Sequence, residues 1–411
     1  MGTLTLPPYF NLQEDCKDLR ACFKGIKSHL HYARSHHANY HRLGCNEKRV
    51  IEILGRRTQA QRLEIAQAYL TVYGESLHKR LKSALSGKLE KCILLWMMDS
   101  AERDAILMYE LMKVGGRKAD RALIGIVCTR NASQIYLIKQ AYYTMFNQTL
   151  ENHIDGTDSH FMEFQQKSKW AFWRGSESKV KEVPKRLTSI TKLLLALVRG
   201  SRPENTTVDR HIALNDAHTL NKVFIGKVGK EDTLIRIFCT RSAQQLTATL
   251  NYYHQHYGQE FEQSLLREDS GDFEQALRYT VMCFRQPAKF YAEELYAALG
   301  GAGTDDDALI RVITTRSEVD MQYIKLEFTN ESKRTLEEMV ANDTTGNYRY
   351  FLLTLVGPGD LGLFSPRTSN GSASFYSPRS SGSRQPSTGS HNGSAVSFYS
   401  QRSSGHGSFQ M

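Results

Sequence analysis

Four segments of this chain carry one helical pattern that ends on arginine, and any fold must accommodate that repetition. They are Lys48–Arg57, Arg121–Arg130, Asp232–Arg241 and Asp307–Arg316. Each sets aliphatic residues at i, i+3, i+4 and adjoining positions, as a helix buried on most of its surface would. Amphipathic stretches bearing tyrosines follow, at Tyr69, at Tyr142 and Tyr143, and at Tyr252 and Tyr253. The closing arginines stand 73, 111 and 75 residues apart. That period exceeds the roughly 20–45 residues of short solenoid units, so each repeat reads as a small helical bundle. The long middle interval is explained by an extra segment near 160–186 and a linker.

Proline scarcity agrees with helix. The first 355 residues hold only Pro7, Pro8, Pro184, Pro203 and Pro287, and an all-α fold tolerates few more. Apolar residues make up 40% of the chain, enough for a sizeable core. The net charge of +10 sits in three places: Ile26–Arg42, His160–Arg186 and the tail Gly359–Met411. The remainder is close to neutral, which argues against a nucleic-acid groove built into the core. Seven widely spaced cysteines without a C-x-x-C pair read as buried free thiols in a reducing compartment. The opening residues carry no secretory leader pattern, and Leu6 breaks the myristoylation motif. The longest aliphatic run, Leu193–Val198, is far too short to span a bilayer. A cytoplasmic protein is expected, with any membrane contact peripheral.

The repeats resemble the annexin family, in particular its plant branch. The resemblance covers roughly residues 9–357 and rests on Gly301–Asp305 (Gly-Ala-Gly-Thr-Asp), Leu95–Ala105 (Leu-Trp-Met-Met-Asp-Ser-Ala-Glu-Arg-Asp-Ala) and Asp343–Tyr348 (Asp-Thr-Thr-Gly-Asn-Tyr). It implies four five-helix repeats arranged as a curved disc, at 9–98, 99–200, 208–284 and 285–357, with calcium loops on the convex face. It further implies calcium-dependent binding to anionic phospholipid membranes, no enzymatic role, a peripheral location at the plasma membrane, and contacts with F-actin or with further copies on the membrane.

Three segments depart from the repeat. Residues 26–42 bring five histidines into the first loop. Residues 160–186 interrupt the last helices of repeat 2 and carry Trp170 and Trp173. Both read as surface excursions or as retained intron sequence. The Ser/Gly-rich tail, 358–411, contains the near-copies Ser374–Gly382 and Ser397–Gly405, a composition expected to stay disordered. Its serines lie near arginines, which suits phosphorylation.

Calcium is a hard ion that takes six to eight oxygens. In Leu299–Thr304, Gly301 and Gly303 permit positive φ, so that carbonyls can turn toward one point. Thr304 with Asp307 at i+3 forms a candidate capping box that fixes where the loop ends. Asp343 lies 40 residues after Gly303, where the annexin loop takes its distal carboxylate. By that resemblance the calcium ligands are the carbonyls of Leu299, Gly301 and Gly303 and the carboxylate of Asp343.

The other three loops read as damaged. Repeat 1 has Arg42, or Gly25 without the insertion, before Gly44, and Ala84 at the acid position. Repeat 2 has Arg117 where the second glycine belongs, and Thr157 at the acid position. Repeat 3, Gly226–Lys230, is one residue short, with Asp269 at the acid position as a weaker candidate. This leaves a second reading, a largely calcium-independent membrane or cytoskeletal scaffold. Among minor signals, Ile235–Ile237 matches a tripeptide proposed for actin binding in plant annexins, though its isoleucines belong to the buried pattern. Asp343–Gly346 matches a D-x-x-G element without a phosphate loop to accompany it. The histidines at 29, 31, 36, 37 and 41 are metal-ligand types in a segment with no fixed spacing. Cys128 and Cys283 correspond to plant annexin cysteines suspected of redox roles, although small buried thiols suffice to explain them.

Overall fold

The computed structural model describes residues 1–23, 45–156, 188–200, 202–203, 207–226, 230–265, 271–301 and 303–358. Both insertions and the tail from 359 onward lie outside the described residues, as do Asp269, Thr157, Arg42, Gly44 and Gly25. Within the described residues the chain is helical throughout, and its helices fall into four sets of five. The first set is α1 (Leu12–Cys22), α2 (Glu47–Leu54), α3 (Gln59–Tyr73), α4 (Leu77–Ala84) and α5 (Gly87–Trp96). The second is α6 (Ser100–Val114), α7 (Arg117–Cys128), α8 (Ala132–Phe146), α9 (Leu150–Asp155) and α10 (Ser189–Arg199). The third is α11 (Arg210–Gly226), α12 (Lys230–Thr240), α13 (Ala243–Tyr257), α14 (Phe261–Ser264) and α15 (Asp272–Arg285). The fourth is α16 (Pro287–Leu299), α17 (Asp306–Arg316), α18 (Met321–Ser332), α19 (Leu336–Asp343) and α20 (Gly346–Val356).

Local chemistry sets the same boundaries in each set. The third helices start on Thr58, Asn131 and Ser242, whose side chains accept a backbone N–H three residues on. Such caps satisfy one of the four orphan donors of a helix start and contribute about 1 kcal/mol each. The same helices end on left-handed residues, Gly74, Asn147, Gly258 and Lys333. One aromatic ring of each third helix is wholly inside: Tyr69, Tyr142, Tyr253 and Phe328. Burying such a side chain stabilises by roughly 1.5–3 kcal/mol.

The repeated arginine now has a structural role. Arg57 forks onto Asp15 at 2.6 and 2.7 Å, Arg130 onto Asp104 at 2.6 and 3.1 Å, and Arg241 onto Asp216 at 2.6 and 3.1 Å. Each pair ties the end of the second helix to the first helix of its own repeat. Two parallel charged bonds hold that geometry better than one. Repeat 4 departs: Arg316 lies over the Tyr291 ring, 4.6 Å from its centre, and pairs with Asp320 instead.

The repeats lock together through buried polar groups. Arg62 on α3 is fully buried, donates to the Trp96 carbonyl at 2.8 Å and stacks 3.5 Å from the centre of the Trp96 ring. Its second arm reaches Glu318 of repeat 4 at 2.8 Å, and the Gln59 N–H donates to the same carboxylate at 2.7 Å. Between repeats 2 and 4, the Tyr291 hydroxyl donates to the Gly125 carbonyl at 3.0 Å. Gly125 is required there, because an added Cβ would meet the Phe290 ring at 2.5 Å. The N-terminal residues are tied to repeat 4: Thr3 donates to Ser317 through its N–H and to Leu355 through its hydroxyl, each at 2.8 Å. All seven cysteines are free; five are buried, with Cys45 and Cys128 half-buried. No helix among the described residues is long and apolar enough to cross a membrane.

Candidate metal centre

The repeat-4 loop runs from the end of α16 to the start of α17. Leu299 is the last residue of α16 and its side chain is buried in the core. Its backbone therefore enters the loop from a fixed point. Gly301 and Gly303 then face each other in a narrow antiparallel pairing, both exposed. Gly303 takes φ +155°, a conformation open essentially to glycine alone. Gly301 does not take a positive φ, so of the two expected glycine turns only the second is realised. The Asp305 N–H closes the hairpin by donating to the Ala298 carbonyl at 2.9 Å.

Loop closure differs from the expected capping box in one respect. Asp305, not Thr304, caps α17: its side chain accepts the Ala308 N–H at 3.1 Å. Thr304 is thereby freed for another partner. Its hydroxyl donates to the backbone carbonyl of Asp343 at 3.1 Å. This bond brings Asp343, the exposed last residue of α19, beside the glycine hairpin. The spacing argument had singled out Asp343, but nothing in the sequence pointed to the threonine that holds it there.

Three further acids crowd the start of α17, and each is met by a lysine from another repeat. Lys88 pairs with Asp306, Lys91 with Asp307 at 2.9 Å, and Lys118 with Asp305 at 3.6 Å. The loop is thus braced from repeats 1 and 2. Such exposed pairs add little stability singly, about 0–1 kcal/mol. An open cleft of ≈ 340 Å³ lies beside Asp343, with Glu47, Ser86 and Lys88 of repeat 1 on its far wall.

The donor set suits a hard cation. Leu299, Gly301, Gly303 and Asp343 would offer it peptide oxygens and one carboxylate, with no nitrogen or sulfur, which suits calcium better than a softer metal. Among the described residues, no cluster of three or more His, Cys, Asp or Glu side chains with metal-site geometry occurs.

The corresponding elements elsewhere show why the pattern breaks down. In repeat 1, α4 has eight residues, like α19, and Ala84 stands where α19 ends on Asp343. Ala84 is buried and has no carboxylate to offer. In repeat 2 the connection between α6 and α7 shrinks to Gly115 and Gly116, both at positive φ. Two residues replace the six between α16 and α17, so there is no ring of carbonyls to form. Arg117 and Lys118 are the first residues of α7, and Arg117 pairs with Asp272 of repeat 3 at 2.6 Å. In repeat 3 the loop residues 227–229 lie outside the described residues. Asp343 precedes Gly346 by three residues, and three residues before Gly271 stands Glu268, one place earlier than Asp269.

The minor signals find ordinary structural roles. Ile237 is buried on α12 and Ile235 is half-buried, leaving Arg236 as the exposed member of that tripeptide. The Asp343–Gly346 element forms the junction of α19 and α20, with Gly346 at φ +63°. The histidine segment 29–41 lies outside the described residues.

The chain is similar to known proteins along most of its length. The Annexin family model matches residues 31–96, 103–164, 215–279 and 290–355. Annexin D5 of Arabidopsis thaliana is 36% identical over 316 residues, 77% of this chain and 91% of that protein. Among solved structures, annexin III superposes with a TM-score of 0.73 at 31% identity, covering 87% of this chain and 98% of that one. A calcium-bound annexin (Sm)1 superposes with a TM-score of 0.69 at 25% identity, covering 87% and 93%. On four matched repeats, a relative at this identity and the shared helical architecture, the chain belongs to the annexin family of calcium-dependent phospholipid-binding proteins.

Proposed function

We propose that this protein binds anionic phospholipid membranes through a calcium ion held in repeat 4 by the carbonyls of Leu299, Gly301 and Gly303 and the carboxylate of Asp343. The observation that carries this reading is the Thr304–Asp343 hydrogen bond, which ties the distant acid to the loop through the acid's main-chain carbonyl and leaves its carboxylate out of that bond. Bound calcium supplies open coordination positions that lipid phosphate oxygens fill. With one carboxylate, affinity for the free ion is weak, on the order of 10⁻⁴–10⁻³ M. Lipid tightens calcium binding, and by linkage calcium tightens lipid binding by the same factor. The protein then acts peripherally, with the plasma membrane as its site, and no catalytic role is assigned to it. The repeats are assigned to 9–98, 99–200, 208–284 and 285–357, with self-association on the membrane as the further consequence of a shared binding face.

Sedimentation with phosphatidylserine vesicles tests the reading. Pelleting should require calcium and should move to at least ~10-fold higher calcium in Asp343→Asn. Pelleting that ignores both calcium and this substitution would overturn it.

A second reading draws on the contraction of the repeat-2 loop. Arg117 and Lys118 stand exposed where a calcium loop would be, and a cation near an anionic surface is worth about 1 kcal/mol. This favours a calcium-independent component of membrane binding. A role on F-actin would rest on Arg236 alone in the Ile235–Ile237 tripeptide. Co-sedimentation with actin filaments in the absence of lipid decides that point.

A further inference from the structure

Away from the repeat-4 loop, two imidazoles meet on the surface of repeat 3. His218 on α11 and His256 on α13 are both exposed, and their ring centres lie 5.7 Å apart at an angle of 73°. The helices beneath them are firmly seated: Ala217 and Leu220 flank His218 in the core, and Leu250 and Tyr253 anchor α13.

Each ring has one nitrogen already committed. His256 Nδ1 lies 2.9 Å from the Tyr252 carbonyl, one turn earlier on α13. A carbonyl only accepts, so that nitrogen carries the proton and Nε2 keeps its lone pair. His218 Nδ1 lies 2.5 Å from the Tyr257 hydroxyl. A hydroxyl accepts or donates, and in the tautomer with the proton on Nδ1 the His218 Nε2 is bare as well. Histidines that bind metals are held in this way, the far nitrogen donating to a carbonyl or another oxygen that fixes tautomer and ring orientation. At metal–nitrogen distances of about 2.0–2.1 Å, two imidazoles on one ion place their ring centres roughly 5–5.5 Å apart tetrahedrally, as zinc arranges them, and roughly 4.5 Å apart at right angles, as copper does. The observed 5.7 Å lies within about 1.2 Å of both, a gap that rotation of two exposed side chains closes.

We propose that His218 and His256 form a two-imidazole site for a borderline divalent transition metal, filled by Cu²⁺ in preference to Zn²⁺. Neutral imidazole suits those ions, and the divalent series places copper above zinc. Calcium prefers oxygen and is not a competitor. Among the described residues no third protein ligand completes the set. Solvent fills the remaining positions and the ion exchanges with its surroundings. The site is separate from the repeat-4 loop and does not depend on calcium binding there.

Titration calorimetry with CuCl₂ and ZnCl₂ on the full chain, in a non-coordinating buffer, tests this. The parent for the test carries alanine at His29, His31, His36, His37 and His41, which removes the other group of imidazoles. It should retain one Cu²⁺ equivalent that depends on both rings. That equivalent should be lost in His218→Ala and in His256→Ala, and zinc should bind at least ~10-fold more weakly. The electron paramagnetic resonance spectrum of the copper form should show two nitrogen ligands in the parent and fewer in either alanine variant. Both histidines are exposed, so the metal-free variants should unfold at the parent's temperature. Absence of copper binding in the parent, or equal binding and spectra in the double alanine variant, would overturn the proposal.

Discussion

Thr304 and Asp343 meet across 39 residues of chain, the threonine hydroxyl donating to the aspartate's backbone carbonyl at 3.1 Å. Because the bond uses a main-chain oxygen, it positions the residue and leaves the carboxylate to other partners. In Thr304→Val, nearly isosteric but without the donor, the acid is less well held. A hydrogen bond of this kind contributes about 0.5–1.5 kcal/mol. The calcium needed for half-maximal vesicle binding should therefore rise by roughly two- to tenfold, less than for Asp343→Asn, with little change in thermal stability.

Arg117 and Lys118 should carry the calcium-independent part of membrane binding. Arg117→Gln with Lys118→Gln removes two charges, about 2 kcal/mol near an anionic surface at low salt. The pairs with Asp272 and Asp305 already offset part of this for Arg117 and Lys118. The expected result is up to ~10-fold weaker vesicle binding in a calcium chelator, a difference that fades as salt is raised. Binding with saturating calcium should change much less.

Arg62 is the polar rivet between repeats 1 and 4. Its guanidinium is wholly buried, and burial pulls its pKa down to about 10 against the pull of Glu318. Removing Arg62 takes the cation from the Glu318 carboxylate, which is a quarter exposed and keeps the Gln59 N–H. Arg62→Met should cost about 3–5 kcal/mol, read as a shift of the urea midpoint. Adding Glu318→Gln to Arg62→Met should recover part of that loss, since the stranded carboxylate is then neutral.

Acid should weaken the start of α12 through Glu274. Burial opposes ionisation of its carboxyl. The Lys230 ammonium at 2.7 Å and the Gly271 N–H at 3.1 Å outweigh burial and hold its pKa below the ordinary 4.5. A depressed carboxyl contributes stability that is present above its unfolded pKa and lost as pH falls through the folded one. Lys230→Met should therefore cost up to about 1 kcal/mol at pH 7. That cost should vanish in chemical denaturation once the pH lies below the folded carboxyl's pKa.

Periodicity alone points to the all-α architecture and its four repeats, and the resemblance of the repeat-4 loop and its acid spacing to the annexin pattern nominates Leu299, Gly301, Gly303 and Asp343. The reason is that helix faces and glycine turns are local, so their pattern survives in one dimension. The recurring arginines were visible too, but their partners were not. Asp15, Asp104 and Asp216 are recognisable as counter-ions only once the first and second helices of a repeat pack side by side. Tertiary structure alone decided that Asp305 caps α17, that Thr304 turns to Asp343, and that three lysines from repeats 1 and 2 brace the loop. It also decided that repeat 2 has two loop residues where repeat 4 has six. The Asp305 cap is local, but the threonine and lysine contacts join residues from about 40 to more than 200 positions apart, and only the packing of helices brings such groups together.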